Sequence, residues 1–484
     1  MRRSRLIASL ASVGSKPMSA DRRAQQQWTL GVVCGSTALL LLNVAAPQVA
    51  LESIASDLHA SFSDLQWVLS GYALALAVFL LTAGSLADRF GRKRLFMSGL
   101  GLFSAASLLC ALAPGPGALV AARILQGLAA AVVFPSSLAI LAEEFQGAER
   151  RRAIGVWGAT IGLAFAAGPL LGGVLIDLFG WRAIFAASFV FGAPTIALAV
   201  RFARETRDPD PPPVDWAGVS TLSAGLFLAV YAVLRGNDLG WSSSTVLGGL
   251  AGGAVLLAAF VGVERHRPRP MLDLGLFSNR TFTGASLVIA LLAGGALGAF
   301  VYVMLFLLDA QGRDPVVAGL VLSPLAIVSF VVSALAGRVS ERLPLRAALV
   351  AGMAITTAGM LLLRAGIDGG ASWLALLPGL AVTGAGVGLV NPLATFAHLG
   401  VLPPAQGGLA SALNNTARQL GLAVGIAVLG ALLEATLRDG GDSPAAFADG
   451  LGELLLIAAL MSAAGAVAAL ALIRQADMWV PAPA

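Results

Sequence analysis

The sequence predicts an all-α integral membrane protein with fourteen transmembrane helices. Of its 484 residues, 57% are hydrophobic and only 12% are charged, whereas soluble domains are about 25% charged. Apolar stretches of about 20 residues, the length that crosses a bilayer, recur along the whole chain. This composition excludes an ordinary soluble enzyme and a disordered protein, and it predicts a lipid bilayer, not nucleic acid, as the surroundings.

The fourteen predicted spans follow from reading the chain in windows of that length. Short polar joints separate most of them, and the boundaries are set by where charged residues, proline and glycine cluster. The predicted spans are 28–50, 66–87, 94–113, 118–142, 152–176, 182–202, 216–234, 244–263, 282–308, 315–337, 347–363, 372–396, 407–433 and 450–473.

The basic residues test this count. Of the 31 Lys and Arg residues, 24 fall in the two tails and the even-numbered joints, five fall in the odd-numbered joints, and two lie inside spans. Cytoplasmic loops are enriched in Lys and Arg, and an error in the helix count would scramble the alternation. We therefore expect a multi-pass protein of the cell membrane with both termini in the cytoplasm.

The N-terminal segment has a second interpretation. Arg2, Arg3 and Arg5 precede a short apolar stretch, as in a signal peptide, but Arg22 and Arg23 follow it. That stretch is too short for a signal sequence, so we expect a cytoplasmic tail, with Met1 or Met18 as the start. The two cysteines, Cys34 and Cys110, lie in apolar runs and predict neither a disulfide nor a metal site.

Two polar stretches divide the spans into groups of six, two and six. Residues 203–215 are rich in proline, which cannot continue a helix, and residues 264–280 are basic. We expect a tail at 1–27, a six-helix bundle at 28–202, a linker region with two extra transmembrane helices at 203–280, a second six-helix bundle at 281–474 and a tail at 475–484.

The two groups of six carry a related sequence after their second helix. Gly84, Asp88 and Arg89 follow the second span, and Gly337, Glu341 and Arg342 follow the tenth at the same offsets. Transporters are commonly built from such repeats, with the binding site between them near the middle of the membrane. The repeat therefore indicates a transporter with a central site.

The joint after the second span has more structure than a plain basic loop. It reads Gly84-Ser85-Leu86-Ala87-Asp88-Arg89-Phe90-Gly91-Arg92-Lys93-Arg94. Glycines permit close backbone approach, and Asp88 can cap a helix N-terminus or pair with an arginine. Charge topology alone explains the basic residues but neither the glycines nor the acid.

Two arginines, Arg123 and Arg418, lie inside predicted spans, and Gln126 stands one turn after Arg123. A charge at membrane depth costs at least ~2.5 kcal/mol, so each is a functional candidate. Arg123 also lies near the end of its span, where its side chain could reach the membrane surface instead.

The fifth span contains Gly155 and the run Gly168-Pro169-Leu170-Leu171-Gly172-Gly173. Pro169 removes a helix hydrogen bond, and the glycines leave a groove for a neighbouring helix. The chain has 57 glycines, so ordinary close packing is the competing explanation.

Together these motifs resemble those of the fourteen-helix drug:proton antiporters of the major facilitator superfamily. The resemblance covers nearly the whole chain and implies the major facilitator fold. It implies that Gly84, Asp88, Arg89, Gly91 and Arg92 form a conformational switch between the two halves. It also implies a membrane-embedded arginine motif at Arg123 and Gln126, and an antiporter-type motif in the fifth helix, where Ala164 replaces a usual glycine.

The chain departs from this family in its first helix. The family typically carries an aspartate five residues before the asparagine of the stretch that reads Asn43-Val44-Ala45-Ala46-Pro47 here, but this chain has Ala38. Proton coupling then needs another carboxylate, for which Asp309 is the best candidate. Arg123 and Arg418 also lack an evident acidic partner, so we expect an anionic amphiphilic substrate, with Arg123 as leading contact and Arg418 second.

The predicted function is export of small amphiphilic compounds, such as drugs, antibiotics or a self-made metabolite, with protons as the coupling ion. The alternatives are an uncoupled facilitator or lipid-like exporter, which Ala38 favours, and a non-transporting membrane sensor. The sequence contains no Walker loop, zinc-protease motif or nucleophile elbow. We therefore expect no enzymatic activity, no cofactor or metal, and a monomer.

Overall fold

The computed structural model describes residues 20–206, 215–267, 270, 272–313, 315–368, 373–403, 406–440 and 443–478. Within them, fourteen long helices follow one another along the chain. These are α1 (Ala20–Ala45), α2 (Phe62–Phe90), α3 (Arg92–Ala111), α4 (Pro116–Glu144), α5 (Gly147–Phe179), α6 (Arg182–Phe202), α7 (Trp216–Leu239), α8 (Ser244–His266), α9 (280–310), α10 (Pro315–Arg342), α11 (Leu345–Asp368), α12 (Trp373–Val401), α13 (Gly407–Gly440) and α14 (Pro444–Leu472).

The predicted fold class is confirmed. Twelve candidate membrane spans are found among the described residues, and α2 and α5 contain shorter apolar segments, Asp64–Leu80 and Leu170–Phe179. The helices extend beyond most of the predicted spans, because polar residues continue the helix past the hydrocarbon region. Most of the predicted tails, namely residues 1–19 and 479–484, and the proline run at 207–214 lie outside the described residues.

Two local features were not predicted. A 3₁₀ segment, Ala46–Ala50, and a short helix, Leu51–Leu58, follow α1. Helix α9 consists of four consecutive segments, which are α-helical over Arg280–Leu292 and Gly298–Leu305 and π-helical over Ala293–Leu297 and Phe306–Ala310. Such π segments are common at functional sites, and hydropathy carries no signal for them.

Local sequence explains where several helices begin. Ser61 and Asp64 form a capping box at α2, in which the Ser61 hydroxyl accepts from the Asp64 amide and the Asp64 carboxylate accepts from the Ser61 amide. Asp215 caps α7 by accepting from the Gly218 amide at 2.9 Å. These caps satisfy amides that would otherwise be unpaired at the ends of apolar helices.

The buried apolar residues form two large cores. One lies among α1–α6 and the other among α9–α14. Helices α7 and α8 pack against the first core, and α7 is tied to α2 because Arg235 Nη1 donates to Gln66 Oε1 at 2.9 Å. The first core also includes side chains from α12, from α13 and from the connection between them at one end of the molecule, including Leu399, Leu402 and Leu413.

That end is the one at which α2, α4, α6, α8, α10 and α12 finish, and we call it the basic end because the predicted basic joints lie there. At the basic end α5 and α10 approach at the level of the backbone. A Cβ atom on Gly155 would lie 2.7 Å from the Ser333 carbonyl oxygen, and one on Gly337 would lie 3.3 Å from the Arg152 amide nitrogen. The two cores are therefore in direct contact at the basic end.

Candidate functional site

The α2–α3 joint is held by a carboxylate from the α6–α7 connection. Glu205 accepts hydrogen bonds from the amides of Lys93 and Arg94, both at 3.2 Å, and its carboxylate lies 3.7 Å from Arg94 Nε. An acid at a helix N-terminus is favoured by the helix dipole and by the free amides. Glu205 therefore caps α3 and anchors the joint.

Gly91 is required by this arrangement for two reasons. Its φ angle is +107°, which side chains rarely tolerate, and a Cβ atom there would lie 2.5 Å from Glu205 Oε1. The next residue continues the contact, since the Arg92 amide donates to the Thr206 carbonyl at 2.9 Å.

Arg92 links the same joint to α4. Its side chain is buried, and Nη1 lies 3.4 Å from Glu143 Oε2. Arg89 is half-buried with its guanidinium 5.6 Å from the Phe90 ring centroid, and Gly84 is buried near the end of α2. The backbone of Asp88 lies in the last turn of α2, and its side chain lies outside the described set. The switch residues thus gather at one joint of the basic end.

A second cluster fills the centre of the first bundle, and we call it the central polar network: Asn43 of α1, Ser107 of α3, Arg123 and Gln126 of α4, and Ser188 of α6. Gln126 Nε2 donates to Asn43 Oδ1 at 3.0 Å and to Ser107 Oγ at 2.8 Å. Asn43 Nδ2 donates to Ser188 Oγ at 2.6 Å. The network therefore joins four helices of one bundle.

Arg123 is a member of this network and is only 1% exposed. Its Nε donates to the Val68 carbonyl at 2.8 Å and its Nη1 to Gln126 Oε1 at 2.6 Å. The guanidinium also stacks over Tyr72, 4.5 Å from the ring centroid. Arg123 does not reach the membrane surface, and its hydrogen-bonding capacity is directed at protein groups.

The glycines of α5 serve two different contacts. Gly155 faces α10 of the other bundle. Gly168 and Gly172 face the end of α1, and a Cβ on Gly172 would lie 3.0 Å from the Ala46 side chain. Gly173 is half-buried beside them. The side chain of Pro169 lies outside the described set. The motif therefore combines a contact between bundles with one inside a bundle.

In the second bundle a line of polar side chains lies between α12 and α13, and we call it the polar seam. Asn414 Nδ2 donates to Thr395 Oγ1 at 3.2 Å and thereby joins the two helices. His398 Nε2 lies 2.9 Å from Ser286 Oγ of α9. The seam comprises Asn391, Thr395, His398, Ser411, Asn414 and Arg418, all of which are buried.

Two positions, Ala38 and Asp309, bear on proton coupling. Ala38 packs against the first apolar core, and the neighbouring Thr37 hydroxyl accepts from Trp157 Nε1 at 3.0 Å. Asp309 lies in the last π segment of α9, Phe306–Ala310, and its side chain is outside the described set. In the part of the chain that the structure describes, no group of three His, Cys, Asp or Glu side chains could hold a metal ion.

Comparison with known proteins agrees with this geometry. A family model described as the Major Facilitator Superfamily matches residues 33–426. The chain belongs to the Major Facilitator Superfamily. It is therefore a multi-pass membrane transporter. Its sequence predicts the same architecture, a helical fold with paired bundles.

Relatives within the superfamily have names that concern drug resistance. The chain is 34% identical to the multidrug resistance protein Stp of Mycobacterium tuberculosis over 401 residues, which are 82% of this chain and 74% of Stp. It is 31% identical to the multidrug efflux pump LfrA of Mycolicibacterium smegmatis over 458 residues, 93% of this chain and 90% of LfrA.

A solved structure shows the same fold. The human organic anion transporter MFSD10 (TETRAN) superposes with a TM-score of 0.63 at 17% identity, covering 90% of this chain and 99% of that one. At this level of identity the likeness concerns the major facilitator fold alone.

Sequence reasoning missed several residues of these clusters, among them Glu205, Glu143 and His398. Glu205 and Glu143 lie far from the α2–α3 joint in the chain, and only the fold brings their carboxylates to it. His398 was detectable, because Asn391, Thr395 and His398 recur at helical spacing within an otherwise apolar span.

Proposed function

We propose that this superfamily member exports small amphiphilic compounds, such as drugs, antibiotics or a self-made metabolite, by alternating access. The observation that carries the proposal is the backbone-level contact of α5 with α10 at the basic end, at Gly155 and Ser333. Such a contact closes one side of a path between the bundles, and rocking of the bundles would open it. The names of Stp and LfrA support drug export.

The orientation belongs to the same proposal. The basic end faces the cytoplasm, because Lys and Arg of the joints and tails concentrate there. We place both termini on the cytoplasmic side of the cell membrane, so that the contact of α5 with α10 closes the path toward the cytoplasm. The same proposal includes the grouping of the transmembrane helices into six, two and six, and function as a monomer.

The switch joint gives the motion a physical basis. Glu205 caps α3, and Arg92 pairs with Glu143 of α4, so the joint couples the α2–α3 turn to α4 and to the α6–α7 connection. Gly84, Asp88, Arg89, Gly91 and Arg92 then act as the latch whose contacts form and break in each cycle.

Proton coupling is proposed with Asp309 as the acid that takes the place of the missing carboxylate at Ala38. It lies at the end of α9 within a π segment, a feature that is common at functional sites. The second candidate is an uncoupled facilitator or lipid-like exporter, which is favoured by the packing of Ala38 against the apolar core. Proteoliposomes with and without an imposed pH gradient distinguish the two.

The experiment that tests export is a growth screen in a bacterial host lacking its own pumps. Cells expressing the protein should tolerate higher concentrations of several amphiphilic compounds than cells expressing Gly155→Val at equal membrane abundance. Gly101→Val is the matched control, since a Cβ at Gly101 meets nothing within 4 Å. Equal sensitivity of wild type and Gly155→Val across the panel would contradict the proposal.

A further inference from the structure

Helix α13 has two distinct faces, and Arg418 belongs to the one that faces its own bundle. Leu409, Leu413 and Leu420 pack against the first core. Gly421 lies against Ala290 of α9, and Asn414 bonds to Thr395 of α12. Arg418 stands four residues after Asn414 and three before Gly421, so it shares the second face.

The partners on α12 are fixed by the antiparallel course of the two helices. Asn414 and Thr395 lie at one level because their side chains are hydrogen-bonded. Arg418 stands one turn after Asn414, and Asn391 stands one turn before Thr395, so both lie on the same side of this bond. Arginine side chains in a helix lean toward its N-terminus, which brings the guanidinium back toward Asn414.

The Arg418 guanidinium is left without partners in this position. The residue is 7% exposed, yet its Nε and Nη2 make no hydrogen bond to any residue that the structure describes. Arg123 provides the internal comparison, because its Nε and Nη1 are both used. One membrane-embedded arginine is thus satisfied by the protein, and the other is not.

Among the residues that the structure describes, none supplies a negative charge beside Arg418. His398 of α12 is the titratable group near it; its Nδ1 lies 2.9 Å from the Ala394 carbonyl and its Nε2 lies 2.9 Å from Ser286 Oγ of α9. The nearby seam oxygens Asn391 Oδ1 and Asn414 Oδ1 are buried and have no donor. A buried charge without partners is strongly unfavourable, so the seam is incomplete as a purely protein structure.

We propose that the polar seam binds an anionic group, a carboxylate or an ion of similar size, at the Nε and Nη2 atoms of Arg418. An anion compensates the charge and accepts both free N–H groups, while a water or hydroxyl beside it donates to Asn391 Oδ1 and Asn414 Oδ1. The group comes either from a free inorganic anion or from the ionised end of a transported amphiphile. The second source rests on the proposed export function.

The first test measures thermal unfolding of the purified protein in detergent. Titration with sodium chloride or sodium acetate should raise the Tm of the wild type to a saturating value. The shift should disappear in Arg418→Gln and shrink in Arg418→Lys. Arg123→Gln is the matched control, which should unfold at a lower temperature and keep the anion-dependent shift.

The second test separates the two sources with pyrenebutyrate and its methyl ester, which differ in one ionised group. Stabilisation by chloride identifies a free inorganic anion. Stabilisation by pyrenebutyrate and not by the ester or by chloride identifies the substrate's own acid group. A wild-type Tm indifferent to all anions, or a shift that persists in Arg418→Gln, overturns the site. The Tm measurement does not depend on transport. It can therefore support or exclude the anion site even if the export screen fails.

Discussion

Gly155 of α5 and Ser333 of α10 are in backbone-level contact, and a Cβ atom on Gly155 would lie 2.7 Å from the Ser333 carbonyl oxygen. This distance is shorter than any ordinary carbon–oxygen contact, so the two helices approach as closely as they do only because residue 155 is glycine. Since α5 and α10 belong to different bundles, the contact sets how tightly the basic end closes.

Gly155→Val should therefore impair the closed state without removing any polar group. Overpacking costs about 1–3 kcal/mol, and 1.4 kcal/mol corresponds to about tenfold in an equilibrium constant. We expect the protection of a pump-deficient host against toxic compounds to fall strongly. Gly101→Val introduces the same side chain where nothing lies within 4 Å, and it should leave protection unchanged. Equal losses for both variants would show that the contact is unimportant.

The capping of α3 by Glu205 predicts the behaviour of Gly91→Ala. The new methyl group collides with Glu205, and the φ of +107° at this position is unfavourable for alanine, so transport should be severely reduced. Glu205→Ala added to Gly91→Ala should restore only part of the activity, because it removes the collision and leaves the backbone strain. Complete restoration would mean that strain plays no part, and no restoration would mean that the collision plays none. Growth protection of the two variants beside wild type measures this.

The central polar network predicts that Arg123 contributes to stability. Arg123→Gln removes donors to Val68 and Gln126 and leaves buried acceptors unpaired. Breaking a buried charged network costs about 3 kcal/mol or more, so the thermal unfolding midpoint should fall clearly. Arg201→Gln, at an exposed residue of α6, should change stability by less than about 0.5 kcal/mol. A variant at Arg123 as stable as wild type would contradict this role.

The sequence predicts features that depend on neighbouring residues, but it does not predict contacts between residues that lie far apart in the chain. The helices and their order follow from hydropathy and from the alternation of Lys and Arg, which are local signals. The partners of Arg123, Gln126 and Arg92 do not. Val68, Asn43 and Glu143, which bond to these three residues in that order, lie far away in the chain. The sequence ranked Arg123 above Arg418 as a substrate contact, and the hydrogen bonds of Arg123 favour the opposite order.

The same limit applies to the motif of α5. Its glycines were read as one packing surface, but Gly155 faces α10 while Gly168 and Gly172 face the end of α1. Helical spacing gives the face on which a residue lies, and only the packed structure gives the neighbour on that face. The π segments of α9 were equally invisible, because one extra residue in a turn leaves an apolar sequence apolar.

Proton coupling through Asp309 predicts that Asp309→Asn uncouples transport. Compound-driven proton movement, measured with a pH-sensitive dye inside proteoliposomes, should occur with wild type and disappear with the variant, while compound movement without a gradient persists. Glu453→Gln is the control, as Glu453 is an exposed acid of α14. Proton movement unchanged in Asp309→Asn would assign coupling to another group, and its absence in wild type would favour the uncoupled facilitator.

Export by alternating access can be measured as the rate at which preloaded cells release a fluorescent compound. Pump-deficient cells are loaded with a fluorescent amphiphile such as pyrenebutyrate without an energy source and are then re-energised, and the dye released is followed over time. We expect rapid release from cells expressing the wild type and from those expressing Gly101→Val, and slow release with Gly155→Val. Release at the same slow rate from all three, and from cells without the protein, across the compounds of the growth panel would contradict it.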